Sequence, residues 1–553
     1  MTREILHNGI VLPATWPPKN VDDQTKKPLE NPYRYDFQKP DVIPIDVGRQ
    51  LFVDDFLIES NTTLSRIFNR PKIHPASPVL VPETEEEMDF GNCPMAAPFN
   101  DGVWYDPEDN LFKMWYMPGW FHSTALVTST DGIHWERPQL DVVPGTNLVW
   151  PNKDGYDRDG CLVWLDHEAE NPNERFKMFQ YYRFGKPQNM KGEGWLQVSP
   201  DGIHWSDPVV TPPLGDNSSF FYNPFRRKWC MSIRRATKTT KLRARYYHEM
   251  DNFLDGGHWD IDNEEVFWLR ADDRDGPYTK YPFHKVALYD VNVAPYESLM
   301  IGMFAIFRGP ENDICAEEGV PKLIDLEVAY SRDGFHFTRP DRMPFLYATR
   351  EIGDWNRAYL HSAGGVCLVV GDELYIYFTG FSGESPKLGP TEAGQPGRSR
   401  RVMYAGASTG LATMRRDGFA GMRTVDGRGV LTTRPVIFQG NRLFVNASAV
   451  PHELNLHVSV LTADGEEIEG FSRGLCIPIT EDSTCTEVRW QKDSYSESSP
   501  DLSSLAGQPV KFRFHLYSGT LYSFWVTDDP DGASYGYMAG GGPGLTKGRD
   551  LPT

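Results

Sequence analysis

The ten residues "STDGIHWERP" (129–138) return about seventy positions later as "SPDGIHWSDP" (199–208), and once more as "SRDGFHFTRP" (331–340). A phrase repeated at a coarse, fairly regular interval marks the same corner of a repeating structural unit. Weaker copies stand at "LDGGHWD" (254–260) and "RRDGFAG" (415–421). With Asp-Gly as the mark, Asp131, Asp201, Asp255, Asp333 and Asp417 lie roughly 70, 54, 78 and 84 residues apart, which counts five units. Aromatic and β-branched runs such as "LFKMWYM", "RFKMFQYYR", "KWCMSIRR", "LMIGMFAIF" and "ELYIYFTG" read as strands of buried sheets, and almost no helical period interrupts them. Units of this length with about four short strands match the blades of a β-propeller, where radial repetition protects the sheet edges. The phrase itself is then structural. Asp-Gly supplies a tight turn, and the following His-Trp or His-Phe packs one blade on its neighbour.

The segment "RQLFVDDFLIES" (49–60) alternates like a strand and is expected to close the ring by joining the last blade. After about residue 432 the phrase stops, and "RLFVNASAV", "LNLHVSVLTADG" and "VKFRFHLYSGTLYSFWV" read as long alternating strands of an antiparallel sandwich. The expectation is an all-β chain, a five-bladed β-propeller followed by a C-terminal β-sandwich. Its segments are an N-terminal extension (1–44), the propeller (45–432), the sandwich (433–530) and a Gly-rich tail (531–553) that is disordered or draped over a neighbour.

Composition narrows the partners. A net charge of −20 argues against nucleic acid, which needs a basic footprint. No stretch approaches the roughly 18 apolar residues of a membrane span, and the opening residues carry no apolar leader, so the chain is read as cytoplasmic. Seven scattered cysteines without a C-x-x-C pair encode neither a zinc site nor a disulfide framework.

The three clear copies of S-x-D-G-x-H-W/F, together with "RPVIFQGNRLFVNASA", resemble the five-bladed propeller glycoside hydrolases: family 32, with its added sandwich, and family 43 for the propeller alone. The resemblance covers about residues 45–530. It implies an active site in the axial funnel, with one acidic residue on the innermost strand of each of the first three blades. Independently, breaking a glycosidic bond needs two carboxyl groups, one to protonate the leaving oxygen and one to act as nucleophile or base.

In the first blade, "APFNDGVWYD" puts Asp101 near the start of a strand, where the related families have a nucleophile or base; a plain Asn-Asp turn is the alternative. In the second, Arg158-Asp159 resembles the R-D-P of family 32, whose Asp stabilises the developing positive charge, with Gly160 in place of Pro. Asp157 shares the strand face and is a rival. The third blade breaks the pattern: "GDNSSFFYNPFRRKW" offers Asp216 where a Glu is expected as general acid. Asp216 fills that role if a low-dielectric funnel raises its pKa; otherwise Asp290 in the fourth blade or Glu351 in the fifth supplies the acid. For binding, Trp120 and His122 stand in a loop able to reach a sugar, Arg158 accompanies its Asp, and His361 is either a funnel-floor residue, a calcium-water contact or a satisfied structural histidine.

The expected function is a glycoside hydrolase acting on a terminal sugar of an oligosaccharide or glycoside. Its partner is a carbohydrate, no cofactor is required, and a structural calcium at the propeller axis is compatible with the fold. A glycoside phosphorylase is the enzymatic alternative; it requires the one basic stretch, "RRATKTTKLRARYYH" (234–248), to face the funnel. A non-catalytic carbohydrate-binding propeller is the third.

Overall fold

A computed structural model describes residues 3–19, 27, 39–185, 189–387, 404–425, 427–449, 454–491, 499 and 501–552. It is all-β apart from short helical turns. Six sheets account for the strands.

The repeats are visible as antiparallel sets that follow one another along the chain. One four-stranded sheet runs from Tyr156–Leu165 to Val209–Val210, a second from Ser219–Asn223 to Val266–Arg270, and a third is built on Ala287–Glu297, Leu299–Gly309 and Leu323–Ser331. A nine-stranded sheet joins the two remaining sets. Met95–Asp106 through Leu148–Trp150 forms one half, and Leu360–Ser362 with Glu373–Phe381 and Ala407–Arg415 the other; Ala407 and Ser408 pair in parallel with Met95 and Ala96. The leading strands of the five sets are therefore Met95–Asp106, Tyr156–Leu165, Ser219–Asn223, Ala287–Glu297 and Leu360–Ser362. The first lies against the second, the second against the third, the third against the fourth, and the fifth against the first.

The repeated phrase is a turn with its own cap. Asp131 Oδ1 accepts the backbone N–H groups of Ile133 and His134, both at 2.8 Å, and its Oδ2 lies 2.7 Å from His134 Nδ1. Ser129 Oγ accepts the Gly132 N–H at 2.9 Å. Asp201 with His204, and Asp333 with His336, repeat this arrangement. Each turn also receives a bond from an aromatic residue of the preceding set: Trp115 Nε1 donates to Gly202 O (2.8 Å), Trp268 Nε1 to Phe335 O (2.6 Å) and Tyr377 OH to Gly132 O (2.7 Å). The last of these runs from the fifth set back to the first.

The two weaker copies differ. Asp255 lies in a 3-10 turn, Phe253–Gly257. Asp417 is buried in a network with Arg49, Tyr296, Asn446 and Ser523.

The remaining two sheets have six strands each and share one apolar core that includes Val445, Phe524, Val458, Phe512 and Phe514. They draw on both ends of the chain. Ile43–Pro44 pairs with Val436–Ile437, Gln50–Leu51 with Thr520–Thr527, Ile58–Thr62 with Gly429–Thr433, and Leu64–Phe68 with Ala420–Thr424. This corrects two expectations. Residues 49–60 do not join the last repeat, whose outer edge takes Lys72–Ile73 instead. The stretches 45–68 and 420–432, assigned to the repeat region from sequence, pair within the second sheet system because their alternating faces complete that second core. The tail is draped: Tyr537–Met538 pairs with Tyr296 and Glu297 of the fourth leading strand.

Candidate active site

The leading strands are irregular at the acidic positions read from the sequence. Their pairing registers shift between Ala97 and Gly102, between Arg158 and Cys161, and between Leu288 and Asp290. A bulge adds a residue and re-aims the side chains beside it. Asn100 occupies the left-handed region at φ 72°. Gly160 leaves the room for this convergence, since a Cβ there would sit 3.3 Å from the Asn217 backbone and 3.6 Å from Asn100 Nδ2.

Two groups of side chains result. In the first, Asp101 is fully buried against the guanidinium of Arg158, which is equally buried. Asn292 Nδ2 donates to Asn100 Oδ1 (2.9 Å) and to Ser362 Oγ (2.8 Å). Asp290 Oδ1 lies 3.5 Å from Asn100 Nδ2 and 3.7 Å from Arg245, and its Oδ2 is 3.9 Å from His361 Nδ1. Thus Asp101, Arg158, Asp290 and His361 meet, contributed by four of the five leading strands. His361 is buried, and burial holds its imidazole below the ordinary pKa against the pull of Asp290. Burial foremost, with Arg243 and Arg234 nearby, draws Arg245 down to about 9 even though Asp290 opposes it.

In the second group, Arg183 from the strand Phe176–Phe184 contacts Asp159 and, at 2.8 Å, Asp216. Asp216 is clamped further by Arg243 at 2.7 Å and Arg234 at 3.3 Å. The surroundings shift the two carboxyls in opposite directions. Burial raises Asp159, with Arg183 opposing and the neighbouring Asp216 adding to the rise. Asp216 is also buried, but Arg243, Arg234 and Arg183 outweigh burial and hold it well below the usual carboxylate range.

Asp216 borders a cavity of about 400 Å³. Arg183, Arg234, Lys241, Arg243, Lys285 and Lys322 line it, with Tyr289, Phe307 and Tyr404 as aromatic walls. Lys322 Nζ donates to Tyr404 OH (2.7 Å) and Tyr289 OH (3.3 Å), and the Arg243 guanidinium stands 4.0 Å over the Tyr289 ring. Burial pushes the Tyr289 phenol up, but Lys322 and Arg243 bring it below its ordinary pKa.

Trp120 stacks on Tyr404 with centroids 4.4 Å apart and planes 10° from parallel, which puts it beside this cavity. Its neighbour Phe121 lies under the Arg183 guanidinium. His122 Nε2 sits 3.0 Å from Asp89 Oδ1. Glu351 is exposed in the loop before Leu360–Ser362 and takes no part in either group. Asp157 is also exposed, at the start of its strand.

Sequence reading missed Arg183, Tyr289, Lys322 and Tyr404. Arg183 and Tyr289 sit at strand ends that the repeat pattern identifies, so a search for polar residues there would have found them. Lys322 and Tyr404 lie outside the strands and carry no such signal.

Among the described residues no group of three or more His, Cys, Asp or Glu is placed to hold a metal ion. The side chains that meet at the leading strands do not suit calcium, which takes six to eight oxygen ligands. Arg158 and Arg245 already occupy the carboxylates there, so no step is routed through that ion. No helix among the described residues is long and apolar enough to cross a membrane.

A scan against models of protein families finds no match, and a search of curated proteins finds none. Among solved structures, the chain is similar to an N-acetylgalactosamine deacetylase from F. plautii in complex with blood group B trisaccharide (13% identity, 65% of this chain and 97% of that one, TM-score 0.42). It is similar to a thermostable family-43 glycoside hydrolase (12% identity, 59% and 96%, TM-score 0.38). A β-1,2-mannobiose phosphorylase from Listeria innocua is similar at 9% identity (63% and 97%, TM-score 0.40).

Proposed function

We propose that the chain is a carbohydrate-active enzyme, built as a five-bladed propeller with a β-sandwich, that hydrolyses the bond to a terminal sugar. The observation that carries this reading is that Asp159 and Asp216 share the Arg183 guanidinium while their surroundings shift their pKa values in opposite directions. Two carboxyl groups whose surroundings push their pKa values apart divide naturally into a proton donor and an ionised partner.

This assigns roles differently from the family resemblance, which gives Asp159 the stabilising role, and from the sequence reading, which left the acid open among Asp216, Asp290 and Glu351. Here burial raises the Asp159 carboxyl above its ordinary pKa against the opposing Arg183, the direction a general acid requires. The Asp159 carboxyl would transfer its proton to the glycosidic oxygen as the bond from the anomeric carbon to that oxygen breaks. Asp216, kept ionised by three arginines, would be the ionised partner of that acid. Asp101 remains the candidate to take the proton of an attacking water, once substrate loosens its pairing with Arg158.

Phosphorolysis is the second reading, and a specific observation favours it. Arg234, Lys241 and Arg243 of the basic stretch 234–248 do line the cavity. A phosphate ion bound there would attack the anomeric carbon itself and need no carboxylate base.

The test is turnover of aryl glycosides and natural oligosaccharides by the purified chain, with Asp159→Asn alongside and phosphate varied. Cleavage that ignores phosphate and disappears in the variant supports hydrolysis. Cleavage that requires phosphate supports phosphorolysis. Sugar binding without cleavage by either route would make the chain a carbohydrate-binding propeller and sink the enzymatic reading.

A further inference from the structure

The cation-lined cavity is out of keeping with a chain of net charge −20. Six basic side chains face it against two acidic ones, Asp216 and Glu311. Like charges gathered in one cavity repel, and a bound anion relieves that repulsion. The crowding is felt by the residues themselves: burial foremost, then the adjacent Arg243, depresses the Arg234 guanidinium. Arg243 Nε is buried and makes no hydrogen bond, while Arg234 Nε stands 3.3 Å from Asp216 Oδ1.

The walls are not purely polar. Phe307, Leu242 and Ala287 border the same space, and about 400 Å³ falls in the range of small-molecule sites, roughly 300–1,000 Å³. A free inorganic anion needs no apolar wall. A ligand that presents a C–H face and a negative charge together uses both halves of the lining.

We infer that this cavity receives the carboxylate of an acidic sugar, so that the chain acts on uronic-acid glycosides. The inference rests on the glycosidic reading above for its chemistry, but not for its binding. Arg234 and Arg243 would fork the planar carboxylate, Lys241 and Lys322 would add charge, and Phe307 would take the apolar side of the ring.

Titration calorimetry of the full chain tests this directly, with glucuronate, galacturonate, glucose, galactose and inorganic phosphate as ligands. The expected result is that at least one uronate binds tenfold or more tightly than its neutral parent, and that added salt weakens it. Arg234→Ala and Lys241→Ala each lose tenfold or more in uronate affinity, whereas Arg234→Lys retains part of it; circular dichroism confirms that the variants fold. Equal binding of acidic and neutral sugars overturns the inference, as does binding of phosphate without either uronate. The two readings fail separately. Cleavage of neutral glycosides with no uronate binding leaves the enzyme and removes its acidic substrate. Uronate binding without cleavage of any glycoside, acidic or neutral, leaves the site and removes the enzyme.

Discussion

The hydroxyl of Tyr377 donates to the carbonyl of Gly132 at 2.7 Å, across 245 residues of sequence. Tyr377 belongs to the last repeated set and Gly132 to the turn of the first. Tyr377→Phe keeps the ring and leaves that buried carbonyl without its donor, a loss of about 1–2 kcal/mol. Denaturant titration should show it as a lower midpoint at constant slope.

Gly132→Ala should cost more. Gly132 has φ +76°, and an added Cβ would lie 2.6 Å from the Tyr377 hydroxyl oxygen. The left-handed backbone alone costs roughly 1–2 kcal/mol for a residue with a side chain. In the Tyr377→Phe background the same substitution should cost less, since the crowding atom is gone. A double-mutant cycle measures that coupling, and strict additivity would disprove the contact.

Asp159→Asn should lower turnover at least about 100-fold, the usual contribution of a positioned acid, without loss of stability at neutral pH. The sign follows from linkage. A carboxyl whose folded pKa is raised stabilises the fold below its unfolded pKa, and that stability is lost as pH rises through the folded value. Asparagine resembles the neutral acid and escapes the loss. Thermal midpoints of the two proteins should therefore converge in acid, with the variant equal or higher above pH 7.

For Asp216 the direction reverses. Its folded pKa is depressed, so its stabilisation is present above the unfolded carboxylate pKa and is lost as pH falls through the folded value. Asp216→Asn strands Arg183, Arg234 and Arg243 together, which should cost about 3 kcal/mol at pH 7. Below roughly pH 4 the gap to the unmodified chain should begin to narrow, as the unfolded carboxyl takes up its proton while the folded one stays ionised. A gap that stays constant with pH would contradict the clamp.

Arg49 pairs with Asp417 at 3.1 Å and with Glu297 at 3.4 Å, all three side chains being buried, and its guanidinium lies 4.0 Å over the Trp525 ring. Arg49→Met removes one cation from two buried carboxylates and should cost about 3–5 kcal/mol. Burial already raises Glu297, with Arg416 and Arg49 opposing it. The variant should therefore recover stability as the pH is lowered from 8 to 5, relative to the unmodified chain. Arg49→Lys should recover little, because one ammonium cannot serve both acids and the indole face.

The repeats were legible because a turn that needs Ser, Asp, Gly and His in fixed order writes all four into a few residues. Asp101, Arg158, Asp290 and His361 were legible for a related reason: each lies on the leading strand of a set, and the set boundaries come from the turns. Asp216 precedes its strand, and what decides its protonation is three arginines, one of them from another set. That arrangement is set by packing between sheets and leaves no local pattern. Residues 45–68 misled because an alternating strand fits either sheet system. Only the partners at 420–433 and 520–527 decide between them.

Synthesis on the ribosome meets that same arrangement in time. Thr62 bonds to Val430, 368 residues further along. At about 5–20 residues per second, the early strands wait roughly 20 to 75 s for the segment they pair with. Throughout that interval Ile58–Thr62 and Leu64–Phe68 hold unpaired edges, the kind that recruit strands from other chains. The nascent protein is therefore exposed to aggregation at these early strands until residues 420–433 emerge to pair with them.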